Sequence, residues 1–154
     1  MDHMEHAREQ LELSPMLPAD LPSVELIERV SFREPWSAAT LLAELARPMA
    51  RVTVARLRGR IIGFCNYWLV ADEASLLSIA VHPDHRGVGA ASSLMSAMMA
   101  EARAAGCRLA ILEVRRSNQP ALALYHRHGF AVSHQRRGYY SDGEDALVMT
   151  LALT

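Results

Sequence analysis

The sequence predicts an α+β fold with a mixed sheet, and three observations point there. Aliphatic and β-branched runs of strand length alternate with segments whose apolar residues recur at helical spacing. Their order is strand, two helices, three strands, helix, strand, helix, two strands. One run, Arg108 to Val114, is almost unbroken in apolar residues, as in a strand covered on both faces. A chain of 154 residues with 51% hydrophobic and 21% charged residues fits one domain with a core of its own. That domain is expected over residues 11–154, behind a flexible arm at 1–10.

Leu11 to Met16 reads as the first strand. Asp20 is positioned to cap a helix over Leu21–Val30, with Pro22 in its first turn and apolar residues at 24, 27 and 30. Ser37 caps a second helix running to about Ala46, and Pro48 stops it. Two strands follow, Arg51–Leu57 and Ile61–Val70, joined by the turn Arg58-Gly59-Arg60. A turn at Ala71-Asp72-Glu73 leads to a fourth strand ending at Val81. The helix from about Gly89 to Ala104 carries Leu94, Met95, Met98, Met99 and Ala102 on one side, a stripe expected to pack in the core. Gly106 breaks it. After the strand Arg108–Val114, Ser117 or Asn118 caps a last helix, which Gly129 ends. Phe130–Gln135 and Ala146–Leu153 complete the sheet.

Composition excludes several classes. A net charge of −1 gives no footprint for nucleic acid as the main partner. Arg115-Arg116 and Arg136-Arg137 read as solvated pairs, with a cofactor-facing or ribosome-facing role as the alternative. Cys65 and Cys107 fall in or beside apolar runs, as buried thiols do. The seven histidines show no metal-ligand spacing, and His82, His85, His126 and His128 read as surface residues, so no metal is expected. No 18-residue apolar stretch or signal-peptide core occurs, which makes the cytoplasm the expected compartment and no membrane a partner. A monomer or weak dimer is expected.

The segment carrying most information is Val81-His-Pro-Asp-His-Arg-Gly-Val-Gly-Ala-Ala91. It joins a strand to a helix, with Gly87 and Gly89 on the turn. Such a turn can aim free backbone N–H groups at one point, where the helix N-terminus adds positive potential. Glycine tolerates positive φ, and Ala90, Ala91 and Ser92 leave room for a phosphate or pyrophosphate. A dinucleotide fingerprint would need glycine at 92, and a P-loop would need a lysine; neither is present. An ordinary turn is the alternative.

The segment Arg86-x-x-Gly89-x-Ala91 resembles the Arg/Gln-x-x-Gly-x-Gly/Ala motif of the GCN5-related N-acetyltransferase superfamily. A second block, Leu112 to Phe130, is similar to that family's fifth strand and following helix, which end in a tyrosine and then Gly-Phe. Within the superfamily, the bacterial ribosomal-protein alanine N-acetyltransferases are resembled most. The matching residues are Glu34-Pro-Trp-Ser37, Leu112-Glu-Val-Arg115, Ser117-Asn118 with Ala123-Leu-Tyr125, and Arg136-Arg-Gly-Tyr-Tyr140 before Glu144-Asp-Ala146. Ala91 stands where many members have glycine, and Gly138 where close relatives have a polar residue.

The resemblance implies a mostly antiparallel sheet of about seven strands flanked by about four helices. It implies acetyl-CoA as co-substrate and a protein N-terminus as acceptor, favouring the N-terminal alanine of a small-subunit ribosomal protein. A lysine side chain or small amine is the alternative acceptor, and an idle acyl-CoA-binding module the alternative class. The cofactor is expected at Arg86, Gly87, Val88, Gly89, Ala90, Ala91 and Ser92 for the pyrophosphate. Ile79, Ala80, Val81 and Asn118 are expected along the pantetheine arm.

Acetyl transfer to an amine needs a base, a stabilised thioester oxygen and a proton for the leaving thiolate. Glu113 is the only ionisable residue within Leu109–Val114, where a carboxylate is costly without a task. The resemblance makes it the base; otherwise it is a strand-end residue reaching solvent or an arginine. Tyr125 is the matching acid, or else an aromatic core residue. Asn118 caps a helix in either case. Trp36, Tyr139 and Tyr140 are candidates for the acceptor wall, or an aromatic strand edge.

Overall fold

The computed structural model describes residues 10–154; apart from Gln10, the arm expected at the N-terminus lies outside the described residues. Strands β1 (Leu11–Pro15), β2 (Ala50–Leu57), β3 (Arg60–Val70), β4 (Glu73–Val81), β5 (Leu109–Arg115), β6 (Ala131–Arg136) and β7 (Ala146–Ala152) form one sheet in the order β1-β2-β3-β4-β5-β7-β6. Helices α1 (Leu21–Ser31), α2 (Ala38–Glu44), α3 (Ala90–Ala104) and α4 (Gln119–Arg127) complete the expected succession. Only β4 and β5 are parallel; the other pairings are antiparallel.

The sheet is covered on two sides. The core under α3 and α4 gathers Leu94, Met95, Met98 and Ala102, so the methionine stripe packs inward as expected, with Cys65, Cys107 and Phe130 beside it. Both cysteines are buried free thiols. The core under α1 and α2 gathers Val24, Ile27, Leu41, Val54 and Phe64. No helix among the described residues is long and apolar enough to cross a membrane.

Side-chain caps open two of the four α-helices. Ser37 accepts the Thr40 N–H at 3.2 Å, and Asn118, rather than Ser117, accepts the Ala121 N–H at 3.2 Å. Asp20 departs from expectation. Its side chain makes no cap bond to α1. It accepts instead from the Leu17 N–H at 2.8 Å and from Arg56 at 2.6 Å, a nearly buried ion pair that ties the start of α1 to β2. Burial alone would raise its pKa; Arg56 and the Leu17 N–H together hold it below the usual carboxylate value.

A second departure shapes everything that follows. The β4–β5 ladder runs only from Glu73–Leu109 to Leu76–Leu112. Beyond it β4 continues to Val81 beside β3, and β5 continues to Arg115 beside β7. The two strands splay, and the backbone of Leu77 to Val81 has no strand partner on the β5 side. For the same reason β5 is not covered on both faces: Ala110, Leu112 and Val114 are buried, while Glu113 between them is exposed.

Candidate active site

The opening between β4 and β5 is a cleft of about 630 Å³. Ile79, Ala80 and Val81 form one wall, and Glu113, Asn118 and Tyr125 the other. Trp36 and Tyr140 stand at its mouth, with Glu28, Ser31, Arg33 and Glu34 from α1 and the loop after it. A second cavity of about 830 Å³ lies at the N-terminus of α3, lined by Arg86, Gly87, Gly89, Ala90, Ala91 and Ser92, with His85 and Arg127. Val81, Arg86, Ala91 and Arg127 line both, so the two spaces adjoin. Both volumes lie in the range of small-molecule sites.

The chemistry of the second cavity follows from the backbone. Gly87 has φ +86° and Gly89, which precedes α3, has φ +83°. Those angles are cheap only for glycine and leave the first N–H groups of a helix pointing outward. An anion fits there. Val88, between the two glycines, does not line the cavity; its side chain packs against the α3 core. Ser92 also contacts His128 Nε2 at 3.1 Å. His128 is half-buried, and desolvation, with Arg127 nearby, lowers its pKa. His82 and His85 are half-buried too; among the four histidines read as surface, only His126 is exposed.

Tyr125 is buried at 7% exposure and packs on Phe130, with ring centroids 6.1 Å apart. Desolvation first, then the nearby Cys65 and Tyr140, raise its pKa well above the ordinary phenol value. It is therefore a proton-bearing hydroxyl at any working pH. No hydrogen bond occupies that hydroxyl among the described residues, and the ring lines the cleft.

Glu113 is not the buried carboxylate that its apolar neighbours suggested. It lies 3.6 Å from Arg136 Nε, and a hydrogen bond to it is the main reason that the Tyr139 pKa is raised. It still lines the same cleft as Tyr125. Tyr139 does not line the cleft; it is about half exposed and stacks edge-on against Tyr140 at 5.2 Å. Tyr140 does line it, under the Arg115 guanidinium at 4.1 Å.

Arg115 is not the solvated residue that its pairing with Arg116 suggested. It holds Asp142 at 2.9 Å and Glu144 at 3.0 Å, and Arg33 binds the same Asp142 oxygen, Oδ2, at 2.8 Å. Ser141 also hydrogen-bonds Glu34. The β6–β7 loop and the α1–α2 loop are thereby joined across the mouth of the cleft. This network escapes sequence reading because its partners are far apart in the chain. Glu28 had a local signal: it falls on the buried stripe of α1 with Val24 and Ile27.

Comparison with known proteins agrees with this geometry. The model of the acetyltransferase (GNAT) family matches residues 21–130. A putative ribosomal protein bS18-alanine N-acetyltransferase of Bacillus subtilis is 35% identical over 87% of this chain and 90% of its own length. The ribosomal protein bS18-alanine N-acetyltransferase of Escherichia coli K12 is 34% identical over 92% of this chain and 97% of its own. The crystal structure of the Escherichia coli ribosomal-protein-S18-alanine N-acetyltransferase superposes with a TM-score of 0.85 at 33% identity, covering 94% of each chain. With its splayed strands, its glycine turn and these relatives, the chain belongs to the GNAT family and is an N-acetyltransferase.

Proposed function

We propose that this enzyme uses acetyl-CoA to acetylate a protein N-terminus, the N-terminal alanine of the ribosomal protein bS18. The observation carrying this reading is near full-length similarity to two enzymes named for that substrate, joined to a cleft with a glycine anion turn at one end and an acid–aromatic mouth at the other.

The residues fit the co-substrate. The α3 N-terminus with Gly87 and Gly89 suits a pyrophosphate, and the unpaired backbone of Leu77–Val81 suits an amide-bearing arm laid alongside it as an added strand. Asn118 stands where it can reach that arm while capping α4. Acetyl-CoA supplies the activated thioester.

Glu113 takes the proton from the acceptor ammonium, directly or through water, so that the amine attacks the acetyl carbonyl carbon. An α-amino group with a pKa of about 7.7–8.0 asks only a modest base. Tyr125 donates to the sulfur as the C–S bond breaks and recovers a proton from the nitrogen, which sheds its second one as the amide forms. Its raised pKa makes stepwise transfer to a thiolate of pKa about 8.5 uphill, so its proton moves together with bond cleavage. Trp36 and Tyr140 hold the acceptor's first residues at the mouth, and the enzyme works in the cytoplasm on bS18.

The test is mass-spectrometric detection of acetyl transfer to short peptides that differ only in their first residue, with Nα-blocked lysine peptides alongside. The expected result is transfer to a free Ala terminus. Transfer only to the blocked lysine peptides moves the enzyme to side-chain amines. Acetyl-CoA binding without transfer to any amine overturns the reading.

A further inference from the structure

Three acidic side chains are buried among the described residues: Asp20, Glu28 and Glu44. Two of them have an arginine. Asp20 holds Arg56 at 2.6 Å, and Glu44 holds Arg47 at 3.4 Å together with the Trp68 indole N–H at 2.8 Å. Glu28, at 2% exposure, has no cation within ion-pair distance among the described residues. Its Oε1 accepts the Trp36 backbone N–H at 3.0 Å, and its Oε2 is buried with no partner. One turn further along α1, the Ser31 hydroxyl is also buried with no partner. Glu28 and Ser31 both line the cleft, as does Trp36.

A buried carboxylate with one oxygen unused is costly, and the usual remedy is a paired cation. The nearby arginines at the mouth are already committed: Arg33 and Arg115 hold Asp142, and Arg115 also holds Glu144. The acceptor of this reaction arrives carrying a cation of its own.

We propose that Glu28 is a specificity-determining residue that receives the acceptor's protonated amino group through Oε2, with the Ser31 hydroxyl as a second acceptor for the same ammonium. An ammonium has three donors to distribute, and these two oxygens lie on one face of α1. Oε2 is closed off in this structure, so a rotation of the Glu28 side chain or a shift of the Trp36 loop accompanies entry of the acceptor. Desolvation, which outweighs the Trp36 bond, raises the Glu28 pKa. An ammonium beside Oε2 would offset that desolvation and favour the ionised carboxylate. Glu113 then removes the proton that permits attack. Recognition by Glu28 rests on the N-terminal amine reading above.

Glu28→Gln keeps an oxygen for the Trp36 N–H and removes the charge. Initial rates at pH 7, with an alanyl peptide and acetyl-CoA each varied, should show the peptide KM raised about tenfold. The acetyl-CoA KM should be unchanged and kcat within about threefold. Ser31→Ala should raise the peptide KM about threefold, and it remains informative if Glu28→Gln does not fold. Calorimetric titration of CoA-saturated protein with the free-amine peptide and its Nα-acetyl form supplies a readout apart from activity. The wild type should prefer the free amine, and Glu28→Gln should lose that preference. An unchanged peptide KM in both variants, or a preference retained by Glu28→Gln, overturns the proposal. If the wild type transfers only to lysine side chains, the N-terminal reading fails by itself. The Glu28 proposal is then judged by the same KM shift on that cationic acceptor.

Discussion

Gly63→Ala tests whether the cleft wall is held where the structure puts it. Gly63 lies on β3 opposite Val81 of β4. A Cβ built there would meet the Ala80 carbonyl oxygen at 2.9 Å, Val81 Cγ2 at 3.2 Å and Leu94 Cδ1 at 3.5 Å. The first neighbour is backbone and has no rotamer to change, so β4 must move outward by a few tenths of an ångström. Overpacking of this kind costs about 1–3 kcal/mol, and the stiffer unfolded chain returns about 0.4–1 kcal/mol. The net loss is roughly 1–2 kcal/mol, which for a domain of this size lowers Tm by about 2–8 °C. The same movement displaces Ala80 and Val81, whose unpaired edge faces the cleft, so the acetyl-CoA KM should rise several-fold. Thermal melts by circular dichroism and initial rates against acetyl-CoA measure both effects. Gly59→Ala is the control: φ is +81° but a Cβ there meets nothing within 4 Å, so it should lower Tm and leave the KM alone. A Gly63→Ala enzyme with wild-type Tm and wild-type acetyl-CoA KM would refute the close approach of β3 to β4 on which the reasoning depends.

Two further expectations concern Tyr125, the proposed acid, and the Asp20 pair. Tyr125→Phe removes one hydroxyl from a packed ring, so Tm should change by little while kcat falls about 10²-fold or more; single-turnover rates separate that loss from slow product release. Asp20→Ala should cost about 2–3 kcal/mol in urea denaturation, below the ~3–5 kcal/mol of a fully buried pair because Arg56 keeps about a quarter of its side chain in water. Because the folded-state pKa of Asp20 is depressed, its contribution is fully present above the unfolded value near 3.8 and fades as pH falls through the folded one. The wild type and Asp20→Ala should therefore begin to converge in stability below about pH 3.8 and finish doing so only below the depressed folded-state pKa, and a gap that does not narrow as pH falls would mean that packing, not charge, holds the start of α1.

The parts of this molecule that could be read from sequence are those whose physics is local. Ser37 and Asn118 sit at caps because a side-chain oxygen reaches an N–H three residues on. The Gly87-Val-Gly89 turn is legible because two positive φ angles need glycine wherever they occur. What could not be read depends on residues distant in the chain. Asp20 looks like a cap, but Arg56 claims it from β2. Arg115 looks solvated, but Asp142 and Glu144 return to it after a whole strand has intervened. Glu28 shows the reverse case: its place beside Ile27 on the buried side of α1 is legible from the helical spacing, and that it also lines the cleft is not.

Glu113 is the instructive residue, because its position was legible and the reason for it was not. Its apolar neighbours argue for a buried carboxylate that must have a task. The structure removes that warrant: β4 and β5 part after Leu76 and Leu112, and the residue next in line on β5 is left facing the opening. Exposure suits a proton acceptor better than burial does here. A buried carboxylate that had taken the ammonium proton would have nowhere to pass it, and each turnover would have to wait for the cleft to open. A carboxylate at the edge of the cleft returns its proton to water at once. Arg136, 3.6 Å away, lies beside it at the parting of the strands, where the proposed mechanism brings the acceptor amine and the thioester together. The division of labour follows from depth. Tyr125, the acid in the proposed mechanism, is the buried one. Glu113, the base in the proposed mechanism, is the one in contact with solvent.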